Sequence, residues 1–466
     1  MFIYDFFICE KYRVKLNLRI IAMIALMITI FVLGYVFIAV EHKIKINKAA
    51  TALVMFGLIW AVFAMCTGNN VGAELMEHLG STCETLVFLI GAMTVVDLID
   101  THGGFFIITR RITTRKKLLL LWLLSCITFF MSAVLDNMTT TIVVVMMLRR
   151  IISNPIERWM FAGIVIVAAN SGGAWSPIGD VTTIMLWMRG NITTAPLVSY
   201  LILPCLVSVI VPLIMVSLKL RKDPEKEFQS QQLKLKLPQG VDEKFSRGIF
   251  FVGVLGLLSV PALKAITGLP PYVGIMLVLG VMWIMTEIVY GRKGDIEESN
   301  KNRVSKVLEH IDMPTILFFL GILMSVAGLQ SAGILGAVAT YLDETVHEIF
   351  TITSSIGVLS SIVDNVPLVA GCMGMYPIAS PEVIMASADP IYAQAFAVDG
   401  MFWLLLTYCA GVGGSILIIG SAAGVIAMGL EKIEFTWYLK KISLIAFVGY
   451  LAGIGVLYLE SLIFAL

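Results

Sequence analysis

Charge is scarce in this sequence. Asp, Glu, Lys and Arg make up only 14% of its 466 residues, whereas soluble globular proteins carry about 25%. Hydrophobic residues make up 58%. Apolar runs close to the length of a membrane-spanning helix cover residues 20–40, 50–66, 84–99, 118–135, 195–218, 248–263, 272–289, 315–329 and 442–464. We therefore predict an all-α polytopic membrane protein in contact with lipid.

Motifs typical of several other protein classes are missing. The seven cysteines form no Cys-x-x-Cys pair, which argues against a redox or zinc site. No P-loop sequence is present, which argues against an ATP-driven pump; we expect no cofactor and no enzymatic activity. The net charge of +1 argues against a nucleic-acid partner. Residues 1–18 are too short and too charged for a clear signal peptide, so we interpret them as an N-terminal tail.

Short motifs recur in the same order in the two halves of the chain. The pairs are "ETLVFLIGAM" (84–93) with "PTILFFLGIL" (314–323), "SAVLDNMTT" (132–140) with "SSIVDNVPL" (360–368), and "NSGGAWSPIGD" (170–180) with "GVGGSILIIGS" (411–421). This pattern indicates an internal duplication. We predict a first repeat at 19–218, a cytoplasmic linker at 219–247 and a second repeat at 248–466.

Each repeat has interrupted apolar segments. Asp136-Asn137 interrupts 118–148, which predicts a re-entrant hairpin, and "NSGGAWSPIGD" interrupts 159–188, which predicts a broken helix. Five crossings then remain in each repeat. Because five is odd, the second repeat should enter the membrane with the opposite orientation. We therefore predict two inverted repeats of five transmembrane helices, each with a re-entrant hairpin and a broken helix.

The distribution of basic residues fits this topology. If the N-terminus lies outside, the inner loops hold 27 of the 33 Lys and Arg residues, and the outer loop 379–397 has neither. This asymmetry follows the positive-inside rule.

Polar side chains concentrate at the four interruptions. Non-helical backbone at membrane depth is tolerated where it lines a cavity or is buried in protein, and paired broken helices are typical of secondary transporters. Hydroxyl, amide and carboxylate oxygens suit a small, hard cation. The candidate site consists of Asp136, Asn137, Asn170, Asp180, Thr182, Thr183, Asp364, Asn365, Ser415 and Ser421. Ser421 of the second repeat aligns with Asp180 but carries no charge. We therefore expect the cation to bind closer to the residues of the first repeat.

A second group of acids precedes "THGG". Asp97 and Asp100 share one face of a predicted helix that also carries Glu84, with His102 following. Two interpretations remain open at this point. These acids could relay protons, or they could only extend towards the aqueous end of the helix.

The sequence resembles the NhaD-type sodium/proton antiporters of the ion-transporter superfamily. The resemblance covers nearly the whole chain and rests on "LDNMTT", "ANSGGAWSPIGDVTT", "VDNVPL" and "FLIGAMTVVDLIDTHGGF". It implies exchange of Na⁺, and also Li⁺, for H⁺, with Na⁺ held at Asp136, Asn137, Asp180 and Asp364. It also implies a homodimer with an elevator-like movement. We expect a bacterial inner membrane as the location, with the plastid envelope, where relatives exist, as the alternative. The family often has Glu at the position of Asp97.

Other functions remain as alternatives. A sodium-coupled dicarboxylate or citrate carrier of the same superfamily would place Ser-Asn-Thr at the hairpin tips, whereas both tips here carry Asp. An arsenite exporter of that superfamily is a similar alternative. An intramembrane aspartyl protease would pair Tyr-Asp with Gly-x-Gly-Asp, but "SPIG" precedes Asp180 and Val363 precedes Asp364.

The predicted topology can be tested by labelling. Single cysteines introduced at 379–397 should react with an impermeant maleimide added outside intact cells. Cysteines introduced at 219–247 should react only in everted vesicles. Labelling of both segments from the same side would contradict the inverted orientation.

Overall fold

The computed structural model describes residues 2–39, 44–67, 71–105, 114, 116–221, 242–292, 304–309, 311–362 and 365–464. Every regular element of this part is helical. In the first half the helices are α1 (Phe2–Ala39), α2 (Lys48–Thr67), α3 (Val71–Thr101), α4 (Lys117–Leu135), α5 (Asn137–Ile151), α6 (Pro155–Ala174), α7 (Val181–Met188) and α8 (Thr194–Leu220). Most of the predicted linker 219–247 lies outside the described residues, and so does Asp364.

The second half has more and shorter helices. Its helices are α9 (Glu243–Thr267), α10 (Pro271–Arg292), α11 (Val304–Leu308), α12 (Met313–Ser331), α13 (Ile334–Thr345), α14 (Ile349–Ser360), α15 (Asn365–Met375), α16 (Pro381–Ala386), α17 (Pro390–Gln394), α18 (Met401–Gly413), α19 (Ala422–Glu431), α20 (Phe435–Tyr438), a π-helical turn (Leu439–Ser443) and α21 (Leu444–Phe464). Within the described residues, nine helical segments are long and apolar enough to cross a membrane. The prediction of an all-α polytopic membrane protein is confirmed.

The interruptions seen in the sequence are breaks in helices. Helices α4 and α5 meet at Asp136, and α6 is separated from α7 by residues 175–180. In that second break Pro177 has no backbone N–H to donate, which favours an end to the helix there. The corresponding pairs of the second half are α14 with α15 and α18 with α19. The helices that flank the breaks are mostly short, as half-crossings require.

The same contacts occur at matched positions in the two halves. Ser132 donates a hydrogen bond to the carbonyl oxygen of Ala169 at 2.6 Å, and Ser360 donates one to that of Ala410 at 2.9 Å. Each bond joins the hairpin of its half to the broken helix. Gly172 and Gly413 also correspond, since each lies against the backbone of its own hairpin. These recurrences support a duplication, while the inverted orientation stays a prediction.

The chain divides into two compact units, and each takes segments from both halves. Unit 1 consists of Met1–Leu86, Asp312–His347 and Ala370–Pro377. In it α2 packs closely on α12, and Trp60 donates a hydrogen bond to the Met324 carbonyl oxygen at 2.7 Å. Unit 2 consists of Val87–Ile311, Glu348–Val369 and Ile378–Leu466. It contains both broken helices and the whole first hairpin.

Two glycines make the hairpin contacts possible. A Cβ on Gly172 would overlap the carbonyl oxygen of Phe129, and a Cβ on Gly413 would overlap that of Gly357. Because both obstacles are backbone atoms, neither can move aside cheaply. Only glycine therefore allows each broken helix to lie this close to its hairpin.

This close approach predicts the effect of two matched substitutions. Gly413→Ala should destabilise the protein by about 1–3 kcal/mol, because the new methyl group forces the backbones apart. Gly429→Ala is the control, since a Cβ there meets nothing within 4 Å. It should leave stability unchanged or raise it by up to about 1 kcal/mol, because alanine favours the helix. The measurement is the thermal unfolding midpoint in detergent, and equal midpoints for the two variants would contradict the account.

Candidate ion-binding site

Asp136 forms the tip of the first hairpin in an unusual backbone conformation. Its φ is 74° and its ψ is 159°, a region that glycine occupies almost exclusively. Its carboxylate accepts hydrogen bonds from the Thr139 backbone N–H at 2.8 Å and from the Thr139 hydroxyl at 2.9 Å. The side chain thus caps the N-terminus of α5. A strained acid at this place indicates a function beyond capping.

Asp180 ends the first break and begins α7. Its Oδ1 accepts hydrogen bonds from the Thr182 backbone N–H at 2.9 Å and from the Thr182 hydroxyl at 2.8 Å. The residue is 2% exposed. Ser176 holds the break against α4 through a hydrogen bond of 2.5 Å to the Ala133 carbonyl oxygen. Thr183 donates across the break to the Ala174 carbonyl oxygen at 3.5 Å.

Ser421 has the corresponding place in the second break. Its φ of −144° and ψ of 155° match the −145° and 143° of Asp180. Its hydroxyl accepts a hydrogen bond from the Gly424 backbone N–H at 3.2 Å and caps α19. Tyr438 is fully buried and belongs to the last membrane-spanning segment. Its hydroxyl donates to the Ser415 carbonyl oxygen at 2.8 Å and so fixes the second break to that segment. The two breaks therefore share a backbone geometry and differ in charge.

One hydrogen-bonded chain joins the two breaks. The Asn137 amide donates to Asp180 Oδ2 at 2.7 Å and to Asn170 Oδ1 at 3.0 Å. The Asn170 amide in turn donates to the hydroxyls of Ser415 at 3.0 Å and Ser421 at 2.8 Å. We call these five residues the Asp180 network. All are buried, with exposed fractions of 6% or less.

When Asp180 is ionised, its carboxylate sets the direction of this chain. A carboxylate accepts hydrogen bonds only, so Asn137 must present its NH₂ group to Asp180. The same NH₂ group then faces the Asn170 oxygen, which leaves the Asn170 NH₂ group to bond the two serines. Buried polar groups are costly unless they are hydrogen-bonded. The arrangement gives both NH₂ groups acceptors and, with Asp180 ionised, places a charged end in the first half and a neutral end in the second.

The structure joins six of the ten predicted site residues by direct hydrogen bonds: Asn137, Asn170, Asp180, Thr182, Ser415 and Ser421. Asp136 adjoins Asn137 but is bonded to Thr139. Thr183 bridges the first break, and Asn365 is buried at the start of α15. Asp364 lies outside the described residues. Ion binding by any of them stays a prediction.

The candidate relay acids lie on α3. Glu84 and Asp100 are exposed, and Asp97 is half-buried and accepts a hydrogen bond from Thr101 at 3.5 Å. A relay through these three residues stays a prediction.

His102, which follows these acids, is fully buried. Its Nδ1 donates to the Leu98 carbonyl oxygen at 2.7 Å, and its Nε2 lies 2.9 Å from the Tyr290 hydroxyl. In the neutral imidazole Nδ1 carries the proton, and Nε2 accepts from Tyr290. Burial lowers the pKa of His102, an effect that the hydrogen bond to Leu98 partly opposes. Burial therefore favours the neutral form.

Sequence reasoning missed several residues that shape the site. Tyr438 gave no signal, because its partner lies in another segment. Ser132 and Ser360 did give a signal, since each stands near the start of a recurring motif. Their bonds to the broken helices were nevertheless not predicted. Thr139 is different, because the sequence already indicates it as a polar residue just beyond the first hairpin tip, and only its two hydrogen bonds to Asp136 were not predicted.

These observations define a class of protein. The chain has membrane-spanning helices and two broken helices whose breaks share a buried polar network, a combination typical of secondary transporters and. The family model described as "Citrate transporter" (CitMHS) matches residues 6–398. The chain belongs to this family.

Individual relatives carry antiporter names. "Sodium/proton antiporter 1" of Arabidopsis thaliana is 44% identical over 437 residues, covering 92% of this chain and 71% of that protein. "Sodium/proton antiporter 2" of the same plant is 43% identical over 92% of this chain and 97% of its own length. "Na(+)/H(+) antiporter NhaD" of Vibrio cholerae is 29% identical, covering 88% and 85% respectively. The resemblance to NhaD-type antiporters is confirmed.

The conformation of Asp136 predicts an unusual substitution effect. Asp136→Gly should raise the thermal midpoint in detergent. Relief of backbone strain is worth about 1–3 kcal/mol, whereas replacing a capping residue by glycine costs only a few tenths. Ion transport in vesicles should nevertheless be lost. As a control, Asp399→Gly changes another residue at positive φ (62°), outside the Asp180 network. A lower midpoint for Asp136→Gly would show that the hairpin tip is not strained.

Proposed function

We propose that this protein exchanges Na⁺ for H⁺ across a membrane. The observation that carries the proposal is that Asp136 and Asp180 themselves cap α5 and α7. The N-terminus of a helix attracts anions, and a carboxylate carrier would offer these N–H groups to its substrate. Here the carboxylates of Asp136 and Asp180 accept hydrogen bonds from these N–H groups instead. The site therefore already carries negative charge and favours a cation over an anion.

The position of the Asn137 amide nitrogen suggests where a cation binds. Two oxygens, Asp180 Oδ2 and Asn170 Oδ1, converge on it at 2.7 and 3.0 Å. The partial positive charge of the NH₂ group thus lies where a full positive charge would be stabilised. When the Asn137 side chain moves aside, Na⁺ can take this place between the same two oxygens. Oxygen ligands of this kind suit hard cations.

Competition for the carboxylates explains exchange. A buried carboxylate without a counter-ion is costly even when it is hydrogen-bonded, so Asp180 gains stability from either Na⁺ or H⁺. If only these two loaded forms change the side that the site faces, each Na⁺ carried one way is balanced by H⁺ carried the other way. The proton gradient then drives Na⁺ transport without ATP. In this scheme Asp136 and Asp364 assist from the two hairpin tips.

The names of the relatives support Na⁺ and H⁺ as the transported ions, whereas the description of the family model points to citrate. The two capped helix N-termini favour the cation.

We extend the proposal to Li⁺ as a second cargo, to a homodimer in lipid and to a bacterial inner membrane as the location. The protein acts in this proposal as a transporter and catalyses no covalent reaction.

The direct test uses everted vesicles from cells that lack other Na⁺/H⁺ antiporters. After respiration has acidified the vesicles, added Na⁺ should release protons and restore the fluorescence of a pH-sensitive dye. Added citrate, as the Tris salt, should have no effect. A response to citrate and none to Na⁺ would contradict the proposal and favour the carboxylate carrier.

The charge difference between the two breaks predicts unequal substitution effects. Asp180→Asn should abolish Na⁺-dependent proton movement, because an amide can neither ionise nor exchange a proton for a cation. Ser421→Ala should raise the half-saturating Na⁺ concentration by about tenfold or less, as expected for loss of one neutral hydrogen bond. Both are measured in vesicles at matched protein level. If Ser421→Ala lost more Na⁺-dependent proton movement than Asp180→Asn, the cation would not bind closer to the residues of the first half.

A further inference from the structure

A buried group of charges lies away from the Asp180 network in unit 2. The Glu431 side chain is completely buried at the end of α19 and accepts hydrogen bonds from Arg149 at 2.7 Å and Arg158 at 2.6 Å. Arg149 also bonds the Leu430 carbonyl oxygen, and Trp159 donates to the Glu431 carbonyl oxygen at 2.9 Å. We call Glu431, Arg149 and Arg158 the Glu431 cluster.

The cluster and the network lie at opposite ends of the same three helices. Helix α5 begins at Asn137 and carries Arg149 near its end, and α6 carries Arg158 in its first turn and Asn170 in its last part. Helix α19 is capped by Ser421 and ends at Glu431. The three helices pack against one another in pairs. Each therefore contributes one residue to the network and one to the cluster.

The network and the cluster are separated by a similar distance along each of the three helices. Asn137 and Arg149 are separated by about 18 Å of helix, and so are Arg158 and Asn170. Ser421 and Glu431 are separated by about 15 Å. A helix is stiff over such a length, so an axial shift at one end appears at the other. A shift of about 1 Å is enough to break hydrogen bonds of 2.7–3.0 Å and.

The cluster resists such a shift. The Glu431 side chain is completely inaccessible, that of Arg158 is 15% exposed and that of Arg149 is 43% exposed. Breaking a buried ion pair is strongly unfavourable, because the remaining charge stays buried without compensation. Helix α19 has only ten residues and would be marginal in isolation. Its axial position therefore depends on contacts such as this one.

We propose that Glu431, held by Arg149 and Arg158, is a positioning residue for the Asp180 network. By fixing the axial register of α19 against α5 and α6, it places Ser421 and Asn170 at hydrogen-bonding distance. The cluster touches no ion. It sets the affinity of the site for Na⁺, and in this respect it rests on the proposed function.

The test compares Glu431→Gln and Glu431→Asp with the wild type. Glu243→Gln is the matched control, because it removes an exposed ion pair to Arg247 on α9. For each variant the half-saturating Na⁺ concentration and the maximal rate of proton movement are measured in everted vesicles. Glu431→Asp keeps the buried negative charge, so it should reach the membrane even if Glu431→Gln does not. Its shorter side chain must nevertheless shift the arginines or α19.

Glu431→Gln should raise the half-saturating Na⁺ concentration about fivefold or more, the usual size of a coupling between two sites. Glu431→Asp should show an intermediate rise, and Glu243→Gln none. The maximal rate should change by less than about twofold, because the ion ligands remain. An unchanged half-saturating concentration in Glu431→Asp, with normal wild-type exchange, would overturn the positioning role. No Na⁺ response in the wild type would instead overturn the proposed function itself.

Discussion

The hydrogen bond between the Asn137 amide and Asp180 is the interaction on which the site depends. A carboxylate that is 2% exposed in a membrane protein requires compensation. Here it is supplied by Thr182 and by the Asn137 amide. The direction of the Asn170 amide follows from this bond, and with it the bonds to Ser415 and Ser421. One buried charge thus orders polar groups from both halves of the chain.

The breaks in the helices make backbone N–H groups available to these side chains. A continuous helix would use its own backbone to satisfy every N–H group, leaving none for a buried carboxylate. The interruptions at Asp136, Asp180 and Ser421 each expose the first N–H groups of a new helix and. In the first half these groups bind acids, and in the second they bind a hydroxyl. The matching backbone geometry of the two breaks therefore carries an unequal distribution of charge, which suits the cation that we propose.

Much of this fold was predictable from local patterns. The spans, the hairpin at Asp136-Asn137 and the break before Asp180 all follow from interruptions in apolar runs. The equivalence of Asp180 and Ser421 follows from the repeated motifs, and their backbone angles agree closely. The start of α3 at Val71 was missed, because Glu74 and Glu77 make its first turns too polar to extend the apolar run.

Long-range pairs were not predictable in the same way. Tyr438 and Glu431 are ordinary residues in the sequence, and their roles arise from partners in distant segments. The conformation of Asp136 is a second example, since no motif indicates that a non-glycine residue adopts φ of 74° and ψ of 159°. The asparagines stood out only as polar residues at breaks. Which of their atoms faces which partner depends on the ionised state of Asp180.

The central claim is that Na⁺ and H⁺ compete for one buried carboxylate site. Equilibrium binding of radioactive Na⁺ to the purified protein at a series of pH values tests it most directly. The account predicts that the apparent Kd falls about tenfold for each unit of rising pH while the proton competes, then levels off, and that Na⁺ binding releases protons into a weakly buffered solution. A Kd for Na⁺ that stays constant with pH, without proton release, would contradict it.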